Sequence, residues 1–392
     1  MGRRAAALLL LLALLSGCWS RVELNDLGII LGMAVDLGEE KPIRVTVYVP
    51  RPISGGAREG GGSEVTAWVM TEEADTLADA LELVQSAAPR RLRQYHLRVV
   101  LIGEEFARKI GVGDLLDSLT TNPEAQLNLK LFIVKGRAQY VLETLPLLRT
   151  VQPNNIRGIV QARGGPDWRL KENLVARVSE TQSMWMEALE VIQLESGPPG
   201  TPPHRVHLSG GALFYGDYLV RLVTEDEVQG VYWLLGDPRQ LTMTVDCPDP
   251  NKGNFTVLIE HGKLKMKPSL RGSQPHFRVE ARAHVNMIRA ECGLLGIIDE
   301  ERKQLEDAVA DELRQRLEHV IAIFQETRTD PSGFGKRLQL AYPAYFHSVR
   351  DKWPEIWSKV PVDVEAVAIM TRSGLTTGPT SKTEREVQED RY

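Results

Sequence analysis

The stretch "LRVVLIGEEFARKIGVGDLLDSLTTNPEAQLNLKLFIV" (residues 97–134) opens and closes on short apolar runs. "LRVVLIG" (97–103) and "LNLKLFIV" (127–134) are of strand length and rich in Val, Ile, Leu and Phe, as buried strands are. A helical segment around Ile110 to Leu119 lies between them. Strand, helix, strand predicts a β-α-β crossover and therefore a partly parallel sheet.

Working outward, Ile43 to Val49 alternates apolar and polar residues, the period of a half-buried strand. A glycine-rich stretch, residues 51–64, separates it from a second strand candidate, Val65 to Met70, which suggests a hairpin with a long tip. Asp75 or Thr76 caps a helix whose apolar face is Leu77, Ala80, Leu81, Val84 and Ala88, with Pro89 just past its end. Residues 146–206 are patterned less regularly and end in "SGPPGTPPH" (196–204), which cannot continue a helix or a central strand. This is the expected domain boundary. Beyond it, "VHLSGGALFY", "YLVRLV", "QLTMTV" and "NFTVLIE" predict an antiparallel meander. "HFRVEARAHVNM" (276–287) is a long alternating strand. A helix capped by Asp299 follows, with the stripe Leu305, Val309, Leu313, Leu317, Ile321 and Phe324. Val360 to Met370 is the last strand, and residues 376–392 read as a disordered tail. The expected class is α+β or mixed α/β with several domains, each a mixed sheet packed with helices. The expected domains are 18–200 and 205–375, the second open to division into 205–270 and 275–375.

At the start of the chain, Arg3 and Arg4 precede an apolar run from Ala5 to Leu15 and the small pair Ser16-Gly17. These are the parts of a secretory leader, residues 1–17. The run is too short for a membrane span, which needs about 20 apolar residues. Leu15-Ser16-Gly17-Cys18 resembles the lipobox of bacterial lipoproteins; the alternative is an ordinary leader with a cysteine beside its cleavage site. The lipobox resemblance implies cleavage before Cys18, which then carries S-diacylglycerol and N-palmitoyl groups. Each buried methylene contributes about 0.8 kcal/mol and two chains hold stably, so such a lipid keeps the body on the outer face of a membrane.

Loss of the leader removes two arginines and no acid, so the formal net charge moves from −5 to −7. The remaining length favours two or three domains. A mildly acidic body suits neither nucleic acid nor electrostatic adhesion to anionic lipid. Two cysteines remain, Cys247 and Cys292. An exported protein sits where a bridge between them can persist. Neither has a CxxC partner or histidines at metal-ligand spacing, and two unpaired thiols are the favoured reading over a disulfide.

Patterns that carry chemistry are sparse. There is no GxSxG, HExxH, GxxxxGK[ST] or GxGxxG. The glycines at 55, 56, 60, 61 and 62 lead to no Lys-Ser or Lys-Thr. His204 and His207 have no third ligand nearby, which argues against a metal. His276 and His284 read as packing or surface groups. Glu225-Asp226-Glu227 reads as a solvated turn rather than an acid/base pair. Residues 90–93, "RRLR", form a local basic patch. Tyr342, Tyr345, Phe346, Trp353 and Trp357 form an aromatic group. Such residues are enriched in interface cores, so Trp353, Trp357 and Tyr345 are the candidate interface. The favoured alternative has them staple a helix to the final sheet. No residue set nominates itself as catalytic, and no metal or cofactor is expected beyond the lipid on Cys18.

"CWSRVELNDLGIILGMAVD" (18–36) resembles the mature start of the Ger(x)C family of spore germination lipoproteins: Cys18, Trp19, Glu23 to Leu27, then Gly32 and Asp36. Residues 95–138, the block from "GGALFYGDYLVRLV" to "YWLLGD" and the block from "TDPSGFGKRLQLAYPAYF" to "SGLT" are similar to further parts of that family. The resemblance implies the non-enzymatic lipoprotein subunit of a nutrient germinant receptor, with two polytopic membrane subunits as partners, on the outer surface of the cell membrane or inner spore membrane. The alternatives are a solute-binding lipoprotein that hands a nutrient to a permease, and an extracytoplasmic hydrolase. The first calls for two lobes of repeated β-α-β units, the second for paired carboxyls in a groove.

Overall fold

The structure, a computed structural model, describes residues 26–50, 67–144, 152–162, 165–193, 204–236, 240–249, 252–292 and 299–372, with Gly2, Glu23 and Pro238 besides. Cys18, the glycine-rich stretch 51–64, all of 196–204 except His204, and the expected tail 376–392 lie outside the described residues.

β1 (Leu27–Ile29) leads into β2 (Gly32–Leu37) and β3 (Ile43–Pro50), which form an antiparallel trio with β4 (Ala67–Ala74). α1 (Leu77–Ala87) starts at Thr76, whose hydroxyl accepts from the Asp79 N–H at 3.1 Å. β5 (Arg91–Arg93) pairs with β1. β6 (Val99–Gly103), α2 (Glu104–Lys109), α3 (Gly113–Thr121) and β7 (Lys130–Val134) make the β-α-β crossover that the sequence predicts, with β2, β6 and β7 parallel. α4 (Gln139–Glu143), α5 (Gln152–Ala162) and α6 (Leu170–Arg177) lead to β8 (Trp185–Gln193), parallel to β7. β9 (His204–Tyr215) and β10 (Tyr218–Val223) return antiparallel.

These strands build an eight-stranded sheet in the order β10-β9-β8-β7-β6-β2-β3-β4. β6 and β7 are buried at every position, which is why they read as apolar runs, broken only by Lys130 at the start of β7. One face packs on α1, α2, α3 and α6 through Val84, Phe106, Leu116 and Ala176. The other packs on α4 and α5 through Val141, Leu142 and Ile156.

Two expectations change here. The region 146–206 holds a central strand, β8. The proline-rich stretch before His204 lies in the chain between β8 and β9, neighbouring strands of one sheet that continues to Val223. The reason is burial: Trp185, Met186, Ala188 and Leu189 of β8 are fully buried, and β9 supplies the edge that covers them.

α7 (Glu225–Leu235) follows directly. The Thr224 N–H donates to Glu227 at 2.9 Å, and the Glu227 N–H donates to the Thr224 hydroxyl at 3.3 Å. Glu225-Asp226-Glu227 is therefore the first turn of a capped helix, not a turn between strands. α7 also interrupts the expected meander. β11 (Leu241–Asp246), β12 (Asn254–Arg271) and β13 (Gln274–Ala290) are antiparallel and belong to a second sheet. α8 (Asp299–Glu326), α9 (Phe334–Ala341), α10 (Pro343–Val349) and α11 (Trp353–Trp357) then cross to β14 (Val362–Arg372), parallel to β13. The α8 stripe from Leu305 to Phe324 is buried as its period predicts.

Cys247 and Cys292 are joined by a disulfide, with Cα atoms 5.6 Å apart. This corrects the unpaired-thiol reading. The ladder β11-β12-β13 brings the end of β11 beside the end of β13, although 45 residues separate the two cysteines. Trp185, Leu213 and Val223 from the first sheet share one buried cluster with Phe277 from the second and with Leu313 of α8 and Trp357 of α11. The fold is thus mixed α/β and multi-domain, with its two main sheets meeting in one core.

Candidate functional site

The candidate interface residues sit on α10 and α11. α11 begins at Trp353 and Pro354, where the missing proline N–H costs nothing. One turn separates Trp353 from Trp357, and their rings stack at 6.1 Å. Trp357 also stacks on Phe334 at 4.5 Å, which meets Phe277 edge-on at 5.0 Å. Trp353 packs on Phe346. The Trp357 Nε1–H donates to the Thr329 carbonyl at 2.7 Å. Trp353 and Trp357 are only 3% and 0% exposed, so no partner reaches them. The interface expectation is corrected for both: they fasten α11 to the core. Tyr345 stays partly exposed and borders a surface groove with Pro275, Ile356 and Val360.

Beside this aromatic stack, the turn "TDPSGFG" (329–335) meets residues 181–184 of the first body. Asp330 is buried. Its carboxylate accepts from the N–H groups of Phe334 at 2.9 Å and Gly335 at 2.7 Å, which holds the start of α9. Its own N–H donates to the Ser183 hydroxyl, and its carbonyl accepts from the Ser183 N–H, each at 3.0 Å. Gln182 donates to the Pro331 carbonyl at 2.8 Å. Burial pushes the Asp330 carboxyl up to about 6 against the pull of these N–H groups. A cleft of about 310 Å³ opens over the joint, lined by Glu180, Gln182, Ser183, Arg328, Asp330 and Trp353 among others. Near it, Arg177 clamps Asp217 at 2.7 and 3.1 Å and Asp117 at 2.5 and 3.2 Å.

The other singled-out residues do not converge. His204 and His207 lie three apart on β9, so they point to opposite faces; His207 meets Glu225 at 3.0 Å. His276 is buried against Asp363 at 3.1 Å, while His284 faces outward opposite His261. In the basic patch, Arg90 lies over Trp68 and Arg93 pairs with Glu124. Among the described residues, no three His, Cys, Asp or Glu side chains gather as a metal site, and no helix is long and apolar enough to cross a membrane.

The joint lies at a seam in the comparisons with known proteins. Residues 20–181 match the family description "Spore germination protein N-terminal domain". Residues 209–374 match "Spore germination B3/ GerAC like, C-terminal". The chain belongs to the GerAC-like family of spore germination proteins. It is 23% identical over 395 residues to spore germination protein KC of Bacillus subtilis (strain 168), covering 96% of each chain. It is 21% identical over 369 residues to spore germination protein B3 of the same organism, covering 89% of this chain and 92% of that one. The crystal structure of the GerBC protein is similar in fold, with a TM-score of 0.57 at 18% identity, covering 87% of this chain and 97% of that one.

In this GerAC-like chain, β8 falls between the two matched regions, and it carries a feature that sequence reasoning missed. Glu187 is fully buried, and neither of its carboxylate oxygens has a hydrogen-bond partner. Desolvation pushes it up to about 7 despite the nearby Lys130. Lys130, on the same face, pairs instead with Asp167 at 2.6 Å.

Proposed function

We propose that the chain is the lipoprotein subunit of a nutrient germinant receptor, anchored by lipid on Cys18 and assembling without catalysis with two polytopic membrane subunits. Its place is the outer face of the cell membrane or inner spore membrane. The observation that carries this reading is the match to spore germination proteins along nearly the whole chain. The lipobox-like Leu15 to Cys18 supports the anchor. The polar groups at the joint support a binding role over a catalytic one, because they are engaged in holding turns: Asp330 caps α9, and Arg177 is clamped between two aspartates. The solute-binding alternative fits less well, since the two main sheets share one buried cluster instead of facing each other as lobes across a hinge.

The test is a pull-down of the tagged protein from spore inner membrane, wild type beside Cys18→Ala. Two polytopic proteins should accompany the wild type and fall away with the variant. A wild type that brings down no membrane protein overturns the reading.

A further inference from the structure

The sheet β11-β12-β13-β14 turns one face to α8 and the other to solvent. From His261 to His284 the chain carries Lys263, Lys265, Lys267, Arg271, Arg278 and Arg282 against a single acid, Glu280. The segment is therefore +5 in a chain of −5, which leaves −10 on the rest. A register shift in β12 between Ile259 and His261 puts these cations on one face. Before it, Phe255, Val257 and Ile259 point inward; after it, Gly262 and Met266 do. The bulge thus changes the parity of the strand and turns Lys263, Lys265 and Lys267 to solvent.

The cross-strand register is costly. Lys263 lies directly opposite Arg282, and Lys267 directly opposite Arg278; like charges so placed destabilise a sheet. Lys267 pairs with Glu280, Arg271 with Asp363 at 3.7 Å and Arg278 with Glu365 at 3.6 Å. Lys263, Lys265 and Arg282 form no ion pair among the described residues. β14 adds apolar groups to the same face: Val367, in register with Arg282, is 49% exposed, and Ile369, in register with His284, is 36% exposed.

We propose that this outer face docks on an anionic lipid surface. Six Lys and Arg side chains stand on this face against Glu280, Asp363 and Glu365, a net +3, and Lys263, Lys265 and Arg282 are left to face an anionic surface. They are spread over an open sheet face rather than around a pocket, which suits a plane of head groups. The exposed Val367 and Ile369 suit the boundary between head groups and acyl chains. The acidic remainder of the chain is repelled by the same surface, so the contact also fixes which side of the body faces the membrane. That orienting role rests on the lipid anchor proposed at Cys18; the binding itself does not.

The test uses the full chain carrying Cys18→Ala, so that no acyl group contributes, and vesicles of phosphatidylcholine with or without phosphatidylglycerol. Binding should require phosphatidylglycerol and weaken with salt. Adding Lys263→Glu, Lys265→Glu and Arg282→Glu should reduce it ten-fold or more, with a cooperative urea transition showing that the variant is folded. The leader arginines are common to both proteins and cancel in the comparison. If the charge-reversed chain does not fold, the Gln triple at the same positions should still show a loss. Equal binding by the two proteins, or no preference for phosphatidylglycerol, overturns the proposal. Tighter binding to polyglutamate than to anionic vesicles overturns it in favour of an acidic protein partner. The vesicle result is independent of the pull-down, so the two readings fail separately.

Discussion

Glu187 carries a pH dependence whose sign follows from burial. Unfolded, it ionises near its ordinary 4.5; folded, it keeps its proton up to about 7. The folded chain thus binds the extra proton between those values. The stability this confers is full below pH 4.5 and is lost as pH rises through about 7. Glu187→Gln is expected to flatten the upper part of that decline and to be more stable than wild type by up to about 3 kcal/mol at alkaline pH. Urea midpoints measured across the range check this, and equal slopes in both proteins sink it. Asp330, pushed up to about 6, leaves its own decline at lower pH in both. Gly335 answers to a different limit. A Cβ there would lie 2.5 Å from Trp353 Nε1 and 3.1 Å from the Thr181 carbonyl oxygen. Gly335→Ala should cost about 1–3 kcal/mol by overpacking. Its signature is a lower urea midpoint with altered tryptophan emission, and an unchanged midpoint refutes the close contact.

Among the elements, those whose burial matches one simple period were legible. β6 and β7 are apolar on both faces, and α8 keeps its stripe for the length of the helix. β8 was hidden because Glu187 and Glu190 break its apolar run, and β9 pairs along its flank only in the folded sheet. β12 reads as far as Glu260 and then escapes, because the bulge shifts the inward positions by one residue. α7 announces itself in Thr224-Glu225-Asp226-Glu227, a capping box that adjacent strand candidates mask. The disulfide was illegible for a related reason, since the ladder and not the spacing brings Cys247 to Cys292. Closing 45 residues in the unfolded chain stabilises by about 4 kcal/mol on the chain-entropy relation. The Cys247→Ser/Cys292→Ser variant should therefore lose about 2–4 kcal/mol by guanidinium unfolding. Equal midpoints for the variant and the oxidised wild type contradict that role.

For the molecule as a whole, the turn at Asp330 is where the two bodies hold each other. Nothing local in "TDPSGFG" signals this, because the partner of Asp330 is Ser183, 147 residues away. Trp353 and Trp357 were visible as a helical pair, but the depth of their burial depends on Phe277 and Phe334 from other elements. At this turn the cross-joint side-chain hydrogen bonds among the described residues are Ser183 to the Asp330 N–H and Gln182 to the Pro331 carbonyl. At about 1 kcal/mol each, their joint loss lowers the free energy of opening by about 2 kcal/mol. Gln182→Ala/Ser183→Ala is therefore expected to raise amide exchange at 181–184 and 328–335 by about 30-fold. β6, β7 and β13 should keep their protection, since their ladders and cores are untouched. A uniform rise across both sheets would mean that the joint is one cooperative unit with the core. No rise at all would mean that the shared hydrophobic cluster alone holds the bodies together. The local pattern is expected because the cluster containing Trp185 and Phe277 remains packed while only the polar clasp at the cleft is removed.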